Sequence, residues 1–141
     1  MQTQVYGLAL LRILMGVFFL FDGIGKLAWL TAPGLLTARL TGYSQTATAF
    51  NQWYLDLAMP WAVVLARVVT VGELAAGLAL LTGMATRTAA ALAFVGVLNM
   101  HVASGALFHY AFLTNSYGPP VVGALAALAL SGKRLPWSMR G

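Results

Sequence analysis

The chain has 141 residues, 60% of them hydrophobic and 8% charged, with a mean hydropathy of +0.83; a soluble domain carries charge on about a quarter of its positions, so water is excluded as the main solvent. Eight Lys and Arg against three Asp and Glu give a net charge of +5, but the basic residues are scattered and flank apolar runs, which excludes a nucleic-acid footprint and reads as membrane topology. The absence of cysteine excludes disulfides, thiolate metal sites, iron-sulfur ligation and a dithiol relay within the chain.

A helix needs roughly 20 apolar residues to cross a bilayer core about 30 Å thick. Val5 to Leu30 is the first candidate; it is too long for a signal-peptide core and nothing basic precedes Arg12, so it reads as a retained helix. Thr31 to Met59 follows as the one long connection. Its Leu35, Leu36, Leu40, Tyr43, Phe50, Trp53, Tyr54 and Leu57 are interleaved with Thr, Ser, Gln and Asn, which suits short amphipathic helices on the bilayer surface. Two readings of this segment stay open: a lid over the bundle, or plain interfacial anchoring by Trp53 and Tyr54.

The second span is Pro60 to Thr82 and the third Thr86 to Leu107, joined only by Gly83, Met84 and Ala85, which makes them antiparallel neighbours. Phe108 to Leu113 lies at the interface or continues the third helix. The fourth span, Tyr117 to Leu130, is short, and its Pro119 and Pro120 suit a first helical turn. Arg87, Lys133, Arg134 and Arg140 fall on one side and only Arg39 on the other, so the positive-inside rule places both termini and the tight turn in the cytoplasm. The expected fold is therefore all-α: one transmembrane domain over residues 1–141, a four-helix bundle with helices at about 5–30, 60–82, 86–107 and 117–130, multi-pass in the cytoplasmic (inner) membrane, with the long amphipathic loop outside. Small residues four apart, Gly72 and Ala76, Ala75 and Ala79, Ala85, Ala89 and Ala93, Gly123 and Ala127, mark expected close helix packing.

Ionisable groups within spans are expensive and usually face the bundle interior. Here they are Arg12, Asp22 and Lys26 in the first span, Arg67 and Glu73 in the second, and His101 in the third, with Asn99 close by. At 100° per residue the first three form one stripe, and Arg67, Thr70, Glu73 and Gly77 share one side of the second helix. Centring the spans at one depth sets Asp22 level with Arg67, the expected ion pair, with Lys26 left open as the alternative partner of Asp22 and Arg12 alone in the inner half. The cluster of Asp22, Lys26, Arg67, Glu73, Asn99 and His101 then makes a small-molecule site beneath the loop. The alternatives are a structural ion-pair network that fixes helix register, snorkelling of Lys26 and Arg12 to the two surfaces, and a hydrogen-bonded structural His101. Two histidines without Cys or an adjacent carboxylate cluster argue against a metal or haem site.

Arg12 followed by the run from Phe18 to Leu27 (FFLFDGIGKL) resembles the opening motif of the DoxX family of small membrane proteins. The run from Glu73 to Arg87 (ELAAGLALLTGMATR) resembles that family's helix, Gly turn and Thr-Arg start of the next helix, and the Ala-rich helix ending at Asn99 to His101 extends the likeness. The resemblance implies four transmembrane helices and a membrane redox setting, since related proteins form the large subunit of a thiosulfate:quinone oxidoreductase. It thereby implies a quinone or quinol as cofactor. The expected roles are Glu73 and Asp22 exchanging protons, His101, Lys26 and Arg67 donating to carbonyls, Lys26 and Arg67 holding a sulfur oxyanion, Trp53 or Phe21 covering the ring, Asn99 in the substrate site, and Arg12 joining if the slot reaches the inner half. The bilayer, other membrane subunits or further copies of the chain are the expected partners. A quinone-dependent oxidoreductase, or a subunit of one, and a non-catalytic assembly subunit are both open readings.

Overall fold

The computed structural model describes residues 2–107, 109–131 and 135–139. Phe108 and three of the basic residues used above for topology, Lys133, Arg134 and Arg140, lie outside the described residues.

Helix α1 runs Gln2–Gly25, followed by a short α2 at Ala28–Thr31, α3 at Gly34–Ser44 and α4 at Ala49–Ala58. A single 3-10 turn, Met59–Trp61, leads into α5 at Ala62–Thr82; α6 spans Thr86–Ala103, α7 Tyr110–Leu113 and α8 Pro119–Ala129. The described residues contain helices and no strands. Two stretches, Thr3–Gly25 and Ala49–Thr82, are long and apolar enough to cross a membrane, and Pro119–Ala129 is a shorter apolar helix.

The first helix ends at Gly25 instead of continuing to Leu30. Past it the Lys26 and Leu27 amides turn back onto the Gly23 and Ile24 carbonyls at 3.1 and 3.2 Å, a tightening common at helix ends. The Lys26 carbonyl accepts from the Trp29 amide at 2.8 Å and lies 3.3 Å from the Thr70 hydroxyl of α5, so the break is fastened to the neighbouring helix.

α1 and α5 are antiparallel and form the most extensive helix pair. Their register is set by glycines. A Cβ on Gly77 would lie 2.6 Å from the Leu20 amide nitrogen and 3.0 Å from the Gly16 carbonyl oxygen, and one on Gly16 would lie 2.7 Å from the Leu81 nitrogen. Backbone therefore touches backbone, as close packing in lipid requires. The small-residue pairs expected to do this do so only in part: Ala76, Ala89 and Ala93 are buried, but a Cβ on Gly72 or Gly123 would meet nothing within 4 Å. Gly72 faces away from the other helices because the α5 side that meets α1 is the one carrying Ala66, Thr70, Glu73 and Gly77.

The α5–α6 turn is held by Gly83, in the left-handed region at φ 76°, where a glycine pays no Cβ penalty. α6 packs on α5 and α8, and the Arg87 Nε donates to the Ala129 carbonyl at 3.2 Å, satisfying an end carbonyl of α8. The connection between α1 and α5 is a packed unit: Trp29, Leu36, Leu40 and Leu55 are buried together with Ala62, Ala66 and Ala103. Asn51 in α4 accepts from the Thr48 amide at 2.7 Å and donates to the Ala103 carbonyl at 3.4 Å, so α4 is tied to the end of α6. Its outward side leaves Phe50, Trp53 and Leu57 exposed, the surface expected of an interfacial segment.

Candidate functional site

The α1–α5 register brings three ionisable side chains together. Lys26 Nζ lies 2.7 Å from Asp22 Oδ2, one helical turn back, and 2.5 Å from Glu73 Oε1 across the helix pair. Each of the three side chains is only 15% exposed, so the ammonium neutralises one carboxylate and bridges to the second in a region poor in water. With both carboxyls ionised the cluster carries one net negative charge. Among the described residues nothing donates to the buried Glu73 Oε2.

The fourth member is Tyr117, in the loop before α8. Its hydroxyl donates to Asp22 Oδ1 at 2.9 Å, and its ring stands 5.0 Å from that of Phe18. Trp29 completes the surroundings: Lys26 Nζ lies 5.7 Å from its ring centroid and the Arg39 guanidinium 5.4 Å, distances at which a ring face attracts a cation. Beside the polar cluster is a groove of about 420 Å³ lined by Val17, Phe18, Phe21, Asp22 and Tyr117. Phe21 is 67% exposed and Val17 41%, so the groove opens sideways from α1 and is not enclosed by the helices.

The other expected site residues are placed elsewhere. Arg67 is exposed and forms no ion pair among the described residues; the expected Asp22–Arg67 pair is not made. The reason is stagger. Equal centring sets Asp22 level with Arg67, whereas the observed contacts set Leu20 against Gly77 and Lys26 against Glu73 and Thr70, which leaves Arg67 about 9 Å farther along α5 from Glu73. Trp53 is 66% exposed and does not cover the cluster; Trp29, expected only as part of an apolar span, stands there instead. Asn99 accepts from the Tyr54 hydroxyl at 2.6 Å, a fastening between α4 and α6.

His101 is buried, and its Nε2 lies 3.0 Å from the Tyr117 carbonyl oxygen. A carbonyl only accepts, so Nε2 carries the proton. The ring also stands edge-on to Phe112 at 4.9 Å. His101 thus acts on the site through Tyr117, whose backbone it holds while the Tyr117 side chain reaches Asp22. Tyr117 is a member of this cluster that the sequence reading absorbs into the fourth span. Its visible signal is a phenol immediately before Gly118, Pro119 and Pro120, a polar tip at a helix start.

Arg12 is fully buried and remote from this cluster. Its Nη1 donates to Ser138 Oγ at 2.5 Å and its Nη2 to the Trp137 carbonyl at 3.0 Å. A Cβ on Gly83 would overlap Arg12 Nη1, so the guanidinium fills the space against the α5–α6 turn. Together with the Met139 amide on the Thr82 carbonyl at 2.8 Å and Tyr6 against Trp137 at 5.5 Å, it fastens residues 135–139 to the helices. It neither snorkels nor joins the cluster. Arg12→Met is expected to lose about 1.5–3 kcal/mol, the usual worth of hydrogen bonds to a charged group, and limited proteolysis should show cleavage after residue 135 at lower protease concentrations than in the parent. Equal protection of both would show that Arg12 does not hold the segment.

Among the described residues no three His, Asp or Glu side chains converge as a metal-holding group. Long apolar helices with a buried carboxylate–ammonium cluster define a small helical membrane protein. The family model described as DoxX matches residues 7–110, and the chain belongs to the DoxX family. No significant match was found among curated proteins or among solved structures.

Proposed function

We propose that the protein is a small subunit of a quinone-linked redox system in the cytoplasmic membrane, with α1, α5, α6 and α8 of a single domain crossing the bilayer and both termini in the cytoplasm. The observation that carries this reading is the Tyr117–Asp22 contact at the edge of the groove between Val17, Phe18 and Phe21. A lipid-soluble ring needs an apolar slot reached from the side and a few polar groups to orient its head, and the sideways opening supplies such a path. In this reading Phe18 and Phe21 face the ring, Asp22 and Tyr117 meet its oxygens, and Glu73 and Lys26 behind them form the store from which protons are exchanged. A small reductant such as a sulfur oxyanion, or a partner subunit, delivers the electrons.

Reconstituted in nanodiscs, the protein is expected to bind a short-chain ubiquinol saturably, and Asp22→Asn is expected to weaken that binding by about tenfold, as loss of one buried hydrogen-bonding group does. Quinone reduction with an added donor should fall in Glu73→Gln. A protein that binds no quinone analogue is not a quinone-linked subunit.

A second reading rests on a specific observation: Lys26 satisfies one oxygen of each carboxylate and His101 is committed to a backbone carbonyl, as in a network that fixes helix register. The protein is then a non-catalytic assembly subunit. Pull-down of a partner membrane protein that is retained in Asp22→Asn, together with absent quinone binding, favours it.

A further inference from the structure

The groove beside the cluster is chemically one-sided. The side chains at its polar edge are Asp22 and Tyr117. The single hydroxyl hydrogen of Tyr117 goes to Asp22 Oδ1 at 2.9 Å. Behind them Lys26 Nζ donates to Asp22 Oδ2 at 2.7 Å and Glu73 Oε1 at 2.5 Å. What these two side chains have left for a ligand is lone pairs: a second on each Asp22 oxygen and those of the Tyr117 oxygen. With Glu73 ionised, its deeper Oε2, which has no donor among the described residues, is an acceptor too.

We propose, resting on the quinone-class reading above, that this groove selects the reduced dihydroxy form, the quinol, over the quinone. A quinol hydroxyl donates into the acceptor edge without disturbing it. A quinone carbonyl carries only lone pairs, so it faces carboxylate oxygens unless the Tyr117 hydroxyl turns away from Asp22, and that leaves Asp22 Oδ1 without its donor in a side chain that is 15% exposed. The rings are alike in size and meet the same Phe18 and Phe21 walls, so the discrimination comes from the polar edge. Tyr117 and its loop lie beyond the residues matched by the family model, so this edge is completed by a part of the chain outside the match.

The test uses the full chain in nanodiscs under anaerobic conditions and a short-chain ubiquinol and ubiquinone with identical ring substituents. The parent is expected to bind the quinol at least about tenfold more tightly, the effect of one unmatched buried polar contact. Asp22→Asn, which turns an acceptor into an amide donor, is expected to narrow or reverse that ratio. Tyr117→Phe, which frees a lone pair on Asp22 Oδ1, should retain the preference and keeps the test usable if the first variant does not fold. Quinone binding equal to or tighter than quinol binding by the parent overturns the selection while leaving the quinone-class reading standing; binding of neither overturns both.

Discussion

Lys26→Met is expected to lower stability by about 3–5 kcal/mol, the loss seen when one partner of a buried ion pair is removed and its counter-charge stays behind. Two carboxylates compete for this one ammonium at 2.7 and 2.5 Å, and both are left facing one another across α1 and α5 once it is gone. Adding Glu73→Gln to Lys26→Met removes one of the two orphaned charges, so the double variant should recover part of the loss. The coupling between sites in contact is of the order of 0.5–3 kcal/mol. Thermal unfolding of the four proteins at fixed detergent concentration measures it. If Lys26→Met unfolds like the parent, the ammonium is not holding the helix pair and the cluster is a solvated surface feature. Because Lys26 also lies against Trp29, the single variant should in addition loosen the α2 connection, read as faster amide exchange at Trp29 and Leu30.

How much of this site is legible in the sequence follows from what periodicity encodes. A period near 3.6 residues tells which way a side chain points and not how far along the helix axis its neighbour begins. The stripe of Arg12 and Asp22 on α1, continued by Lys26 in the turn just past it, is therefore readable, and all three point inward. The pairing is not readable, because it depends on the stagger between α1 and α5. Residues before Arg12 run past the Gly83 turn to meet the 135–139 segment, as Tyr6 against Trp137 shows, so equal centring misplaces Arg67. Hydropathy likewise hides Trp29 and Tyr117: both look like rings within or at the edge of apolar runs, and only tertiary packing shows that one lies against a cation and the other reaches a carboxylate. The tight turn is the opposite case. Three residues between two apolar runs, the first a glycine, leave little choice but antiparallel neighbours.

Gly77→Ala is expected to cost about 1–3 kcal/mol, the range for forcing a methyl into a filled interior, and Gly77→Val more, whereas Gly72→Ala should be neutral or stabilise by up to about 1 kcal/mol through helix propensity. The two glycines sit on the same helix five residues apart, so the contrast isolates what surrounds each. A Cβ at Gly77 lies 2.6 Å from the Leu20 nitrogen and 2.8 Å from the Leu20 Cα. Backbone cannot swing aside as a side-chain tip can, so α1 and α5 must part or slide. Sliding changes the register on which both the Lys26–Glu73 contact and the Arg12 fit against Gly83 depend, at opposite ends of the interface. Gly77→Ala should therefore weaken the site and unfasten the 135–139 segment together, though it touches neither. Thermal unfolding beside limited proteolysis reads both effects. Identical unfolding of the Gly77→Ala and Gly72→Ala proteins would mean that α1 and α5 are not in backbone contact, and the register that assembles the site would fall with it.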